Sequence, residues 1–245
     1  FLSSLGANVF FYVPNRNMLK SSVIIDAINY AIENECRLVI TVDCSITATD
    51  ELEQLVKDKV DIIITDHHEP TLQLPHCVAT LNPKLLNSTY PNRDITGVGV
   101  AFKLAHGITN HRIATSQLDP KTVDLKKYLD LVALGTVADM GALTAENRIL
   151  VRYGIKQMQV THRVALQQLF TICELSLKEI NANSIASKIA PRLNSLGRIA
   201  NPRKGVEFLL LKDESKAEAM AKELDLNNLE RQKIERLISD EIENY

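Results

Sequence analysis

Two short runs of β-branched residues constrain this chain more than anything else in it. LVITV (Leu38–Val42) and VDIIIT (Val60–Thr65) each end directly on an aspartate, Asp43 and Asp66, and those aspartates lie twenty-three residues apart. Such runs read as strands. Ahead of the first, Ser21–Asn34 carries apolar residues at Val23, Ile24, Ala27, Ile28 and Ala31, the 3.6-residue period of a helix, with Ser21 and Ser22 available as caps. Between the runs, Thr47–Lys57 places Leu52, Leu55 and Val56 on one helical face. Asn8–Val13 (NVFFYV), ended by Pro14, reads as an earlier strand and Val78–Leu81 as a later one. Strands that alternate with helices at this spacing predict right-handed crossovers and a parallel sheet covered on both faces, an α/β fold.

The later chain changes character. Gly99–Thr109, Asp124–Ala138, Glu146–Gln159 and Arg163–Cys173 read as helices with no comparable strand among them, so helices complete one domain over residues 1–212. From Asp213 onward Ala217, Met220, Leu224, Ile234, Leu237 and Ile242 keep an approximate helical period without Gly or Pro. A helix over 213–245 would reach ~50 Å at 1.5 Å per residue, the length of a connector toward a second domain. The opening Phe-Leu-Ser-Ser-Leu-Gly has neither Met nor a basic flank, so it reads as the interior of a longer protein and not as a secretory signal. No apolar run approaches the ~20 residues that cross a bilayer, so no membrane helix is expected. Cys36, Cys44, Cys77 and Cys173 form no CxxC pair and read as reduced, structural thiols, which fits a cytoplasmic protein.

Chemistry begins where the strands stop. Asp43 and Asp66-His67-His68 both lie at carboxyl ends of strands, the edge at which open parallel sheets bind ligands, and one βαβ repeat between them makes them neighbours. Carboxylates are hard oxygen donors and imidazole adds a preference for transition metals, so the pair suits Mn²⁺ or Mg²⁺. Asp139 ends the apolar segment Leu129–Ala138 and is a third candidate acid. Each has a plainer reading: an Asp after a strand makes an Asx turn or caps a helix, and a histidine can donate to a backbone carbonyl. All three elements together at loop positions of one sheet favour the metal site.

Charge is uneven. The 28 basic and 30 acidic residues leave a net charge of −2, yet Ile180–Val206 holds Lys188, Arg192, Arg198, Arg203 and Lys204 and no acid. Such a stretch is either a solvated face or a surface for an anionic ligand.

At these residues the chain resembles a known family. ITDHHE around Asp66-His67-His68 is similar to the name-giving motif of the DHH phosphoesterases. TVDCSI (Thr41–Ile46), LNPK (Leu81–Lys84), GVGVAFKLA (Gly97–Ala105), LVALGTVADMGAL (Leu131–Leu143), PNR (Pro14–Arg16) and APRLNSLGR (Ala190–Arg198) resemble the RecJ-type single-stranded-DNA exonucleases of that superfamily. The resemblance implies two divalent cations, Mn²⁺ or Mg²⁺. Asp43 would bridge them, His67 and Asp139 would complete the shell of one, and His68 would contact the scissile phosphate. Asp66 would orient a neighbour. Arg192, Asn194 and Arg198 stand where the family contacts its substrate, which is favoured here over the plainer reading that the arginines form ion pairs fixing the long helix to the domain. The implied activity is two-metal hydrolysis of single-stranded DNA from the 5′ end to mononucleotides, in repair and recombination. A single-stranded-DNA-binding protein or a helicase would be its partner.

The family's first Asp-x-Asp element would precede Phe1, and its second substrate-binding domain would follow the long helix. The polypeptide as written is therefore expected to show little activity alone. Two other readings stand beside the exonuclease: a superfamily member acting on short substrates, of the oligoribonuclease or cyclic-dinucleotide type, and an inactive scaffold that binds DNA or protein.

Overall fold

The computed structural model describes residues 1–14, 20–48, 60–199 and 201–243, the side chains of 20–24, 196–199 and 243 excepted. The chain divides into two compact units: Phe1–Tyr12 with Met18–Gly154, and Val13–Asn17 with Ile155–Tyr245. The division at 154/155 falls well before the boundary at 212/213 drawn from the sequence.

Among the described residues of the first unit the sheet has three parallel strands, β1 (Leu38–Val42), β2 (Asp61–Thr65) and β3 (Ala79–Leu81), in that order. The register pairs Val42 with Thr65 and Thr65 with Leu81. Asn8–Val13, expected as a strand, joins no ladder here, and Val9 and Phe10 are exposed. β-branched and aromatic composition measures fit to a neighbouring strand, and no described strand lies beside these residues. The helix expected over Thr47–Lys57 and the PNR segment lie largely outside the described residues.

Helices α1 (Lys20–Glu33), α2 (Gly97–Ala114), α3 (Leu129–Ala138) and α4 (Ala145–Met158) surround the sheet sequence, at or near the spans their periodicity predicts. Ile28, Ile46, Val60, Ile62 and Ile64 form one apolar cluster, with Val39, Cys77 and Leu85 packed on it. Ile95, Val100, Val132 and Leu150 form another, flanked by Leu81, Tyr90, Val98 and Phe102.

The second unit is helical: α5 (Val164–Ile172), α6 (Ala190–Ile199), α7 (Arg203–Leu210) and α8 (Glu214–Glu243). α8 is as long as expected, and its first half is part of this unit's core. Ala217, Ala221, Leu224 and Asn228, spaced by four, three and four residues, are buried where α8 packs on α5 and α6. Its far end leaves Ile234, Leu237, Ile238 and Ile242 exposed. α6 and α7 fall in a stretch where the sequence suggested no element. α6 follows a π-turn over Ile185–Ile189 without interruption. Pro191 supplies no N–H to close the turn before it, and widening that turn accommodates its ring. All four cysteines are free, and no described helix is long and apolar enough to cross a membrane.

Candidate metal centre

The strand register builds the site. The ladder continues one step past the strands: the Asp43 N–H donates to the Thr65 carbonyl at 2.8 Å and the Asp66 N–H to the Leu81 carbonyl at 3.0 Å. Because Val42 and Thr65 are partners, Asp43 and Asp66 emerge side by side at the carboxyl edge. Asp43 leaves the strand with φ 62° and Ser45 follows with φ 79°, left-handed conformations that non-glycine residues adopt at a cost.

His67 lies 17% exposed, its Nε2 3.0 Å from Asp43 Oδ1 and 3.5 Å from Asp139 Oδ2. That nitrogen is buried, yet it is aligned for a hydrogen bond with neither carboxylate. A buried imidazole nitrogen flanked by two carboxylates and bonded to neither is the arrangement a divalent cation completes. Asp43, His67 and His68 each offer a ligand atom, all within 4.8 Å of one another. The His67 and His68 rings are 4.6 Å apart. The donor set therefore fits Mn²⁺ or Mg²⁺, with Asp139 brought to it as the C-cap of α3.

Asp66 plays a different part. It is 1% exposed and both its oxygens are engaged within the protein. Oδ1 accepts from the His67 N–H at 2.7 Å, the His68 N–H at 3.2 Å and His68 Nδ1 at 2.7 Å, while Oδ2 accepts from the Ile46 N–H at 3.1 Å. Burial pushes its carboxyl up, but the His68 side chain and the three backbone donors together hold it below the usual carboxylate range. Asp66 thus fixes the loop after β1 to the loop after β2 and leaves Nε2 of His68 to face a ligand. Asp43 is raised, first by burial and then by the neighbouring Asp139 and Asp66 charges, against the opposing pull of His67. A cation would relieve that crowding of negative charge.

One contributor escaped sequence reasoning. Gly97 opens α2 directly against Asp43: a Cβ there would lie 2.1 Å from Asp43 Oδ1. The glycines of GVGVAFKLA were visible, but nothing in their spacing says which carboxylate the helix approaches. Thr96, which precedes Gly97, hydrogen-bonds Thr136 of α3 side chain to side chain at 3.0 Å, so the helix ends carrying Gly97 and Asp139 are joined.

The family model described as the DHH family, N-terminal domain, matches residues 1–136, more than half of the chain. The chain belongs to the DHH family. Among the similar proteins of this DHH chain, the single-stranded-DNA-specific exonuclease RecJ of Bacillus subtilis is 36% identical over 240 residues, covering 98% of this chain and 29% of that one. RecJ of Haemophilus influenzae is 35% identical, covering 96% and 41%. The DHH chain thus spans less than half the length of these relatives. Its structure superposes on that of Thermus thermophilus RecJ in complex with Mn²⁺ with a TM-score of 0.79 at 30% identity, over 97% of this chain and 33% of that one. A second structure, exonuclease RecJ bound to manganese, gives 0.80 at 30% identity over 97% and 58%.

In the other unit, α6 presents Arg192 and Asn194 differently from each other. Arg192 is 17% exposed: Nε and Nη2 each lie 2.8 Å from Asp225 Oδ1, and Nη1 donates to the Lys188 carbonyl of the π-turn at 2.7 Å. Asn194 is exposed. The Arg198 side chain lies outside the described residues. Of the other basic residues in this stretch, Lys204 pairs with Glu223 at 2.6 Å and Arg203 with Glu207 at 2.9 Å. The stretch that lacks acids in sequence takes them from α7 and α8 in space.

Proposed function

We propose that this chain is the catalytic core of a metal-dependent exonuclease that hydrolyses single-stranded DNA from its 5′ end and releases mononucleotides, in DNA repair and recombination. The observation that carries the reading is His67 Nε2, buried and without a hydrogen bond between the Asp43 and Asp139 carboxylates, with His68 beside it. Two divalent ions held there would lower the pKa of a water at neutral pH and neutralise charge on the phosphate. Asp43 would supply a carboxylate to both ions, and His67 and Asp139 would complete the shell of one. His68, its Nδ1 held by Asp66, would donate from Nε2 to the scissile phosphate. Asp66 acts through His68 as a positioning residue. Asn194 and Arg198, and Arg192 once released from Asp225, would contact the backbone phosphates without reading sequence. The partner is single-stranded DNA itself, with a single-stranded-DNA-binding protein or a helicase beside it, and the DHH domain continues over 1–212.

The test is hydrolysis of 5′- and 3′-labelled single-stranded DNA by the full-length protein, with Mn²⁺ and with chelator, beside Asp43→Ala. Metal-dependent release of mononucleotides from the 5′ end, lost in the variant, is the expected result. Cleavage of dinucleotides without cleavage of long strands would assign the chain to short-substrate phosphodiesterases instead. Binding of DNA with no hydrolysis of either substrate would make it a scaffold.

A further inference from the structure

Among the described residues, four helices close in the same way. After α1, α2, α3 and α5 the residue just past the cap turns left-handed: Glu35 (φ 53°), Ser116 (φ 56°), Met140 (φ 53°) and Glu174 (φ 52°). In each case its N–H reaches the carbonyl three residues back and the next N–H reaches the carbonyl five back, as in Met140 to Val137 and Gly141 to Thr136. Glycine is the residue this position favours. Where a side chain stands there it projects into water, and at Glu35, Ser116 and Glu174 that side chain is polar and exposed. Met140 is the exception. An apolar side chain, 91% exposed, occupies a conformation that glycine would hold with less strain.

Its address is specific. Met140 follows Asp139, whose Oδ2 is 3.5 Å from His67 Nε2. The backbone on its other side is pinned: a Cβ at Gly141 would lie 2.4 Å from Thr96 Cγ2, and Asn147, fully buried, donates to the Ala142 carbonyl at 3.0 Å and to the Asp94 carbonyl at 2.8 Å. The loop that presents Met140 is thus held to the loop that leads into Gly97, the glycine that lies against Asp43. An apolar, polarisable side chain on a rigid rim beside a phosphate-handling centre has one complementary surface in a nucleotide, the face or edge of the base. Thioether sulfur makes favourable contacts with aromatic rings, and a contact of this kind is indifferent to which base is present.

We propose that Met140 is a substrate-contacting residue, the apolar platform for the nucleobase next to the phosphate under attack. The proposal rests on the nuclease reading above. It is tested in the full-length protein with Met140→Gly and Met140→Leu, on intact single-stranded DNA and on an oligonucleotide abasic at its two 5′-terminal nucleotides. Glycine suits the left-handed position, so Met140→Gly is expected to melt no lower than the parent. Its KM on intact DNA should rise about fivefold, the scale of a thioether–aromatic contact. On the abasic substrate the two proteins should converge, and Met140→Leu should keep KM near the parent value. An unchanged KM for Met140→Gly on intact DNA overturns the proposal and leaves the nuclease reading standing. An equal rise on both substrates overturns the base as the contacted group. If the parent cleaves neither substrate with Mn²⁺, the nuclease reading itself has failed and the proposal falls with it.

Discussion

The carboxyl edge of the sheet and the arginine-bearing helix α6 are both charged and both suited to phosphate, yet the fold treats them in opposite ways. At the edge, polar groups are left unspoken for: His67 Nε2 is buried without a hydrogen bond, and Asp43 and Ser45 hold left-handed conformations. In α6 the guanidinium of Arg192 is engaged on two sides, by Asp225 and by the Lys188 carbonyl. Residue type nominates a ligand site. What distinguishes one is that the fold has not already satisfied its donors and acceptors, because an unsatisfied buried group is unfavourable until something binds.

The sharpest way to break the contrast is at its centre. Asp43→Ala should abolish Mn²⁺-dependent cleavage, by about a thousandfold or more, since carboxylate, metal and attacking water act as one unit. Its melting temperature should fall only slightly: Asp43 is half exposed, and the cost comes from alanine holding the left-handed conformation less readily than aspartate. A thermal melt alongside the assay checks this; a collapse of stability together with activity would make Asp43 a structural residue.

Next comes Gly97→Ala. The added methyl would sit 2.1 Å from Asp43 Oδ1 and 2.7 Å from its Cβ, so the carboxylate must swing away and the backbone at one of the two residues must shift. Displacing the support of a ligand typically weakens metal binding by about 10- to 100-fold. Calorimetric titration with Mn²⁺ measures it, and unchanged affinity would mean that the start of α2 yields without displacing Asp43.

How far these contrasts were legible beforehand differs by region. Asp43, Asp66 and the two histidines could be read because strand ends are local features and parallel register then fixes their neighbourhood. Asp139 could be read because it abruptly ends an apolar helix. Gly97 against Asp43 and the Asp225 partner of Arg192 could not. The first joins residues fifty-four positions apart and the second thirty-three, and no periodicity encodes such pairs. The helices α6 and α7 were hidden for another reason: proline disfavours a helix interior, and Pro191 and Pro202 both stand in this stretch, where one follows a π-turn and the other caps α7. Asn8–Val13 shows the reverse error, strong strand composition without a described strand to pair with.

The arginine side of the contrast gives a smaller effect. If Arg192 is chiefly a tie between α6 and α8, Arg192→Ala and Asp225→Ala should lower stability alike, with a coupling of about 1 kcal/mol for a pair this enclosed. If the guanidinium is instead held in reserve for DNA, Asp225→Ala should tighten single-stranded DNA binding severalfold at low salt while Arg192→Ala weakens it. A double-mutant cycle read by both melting and DNA titration separates the two.

The smallest effect tests whether ordinary satisfied charges in the unit that holds the candidate metal centre behave unlike that centre. Glu146 accepts hydrogen bonds from the Tyr90 hydroxyl and, at 2.9 Å, from Lys103 Nζ. Burial pushes its carboxyl up, but these two donors and the Lys103 charge outweigh that and hold it below the usual glutamate value. The sign follows directly. A carboxyl whose folded value is depressed binds a proton more readily when unfolded, so its stabilisation is fully present above the unfolded value of about 4.5 and is lost as pH falls through the folded one. Glu146→Gln should therefore melt a few degrees lower than the parent at neutral pH, and the gap should shrink as pH falls below the unfolded value and close once the folded value is passed. Melting curves of both proteins across that range decide it. A gap that stays constant with pH would show that Glu146 acts through shape alone. One that widens in acid would place its folded value above the unfolded one, and the Tyr90 and Lys103 bonds would then not govern the group.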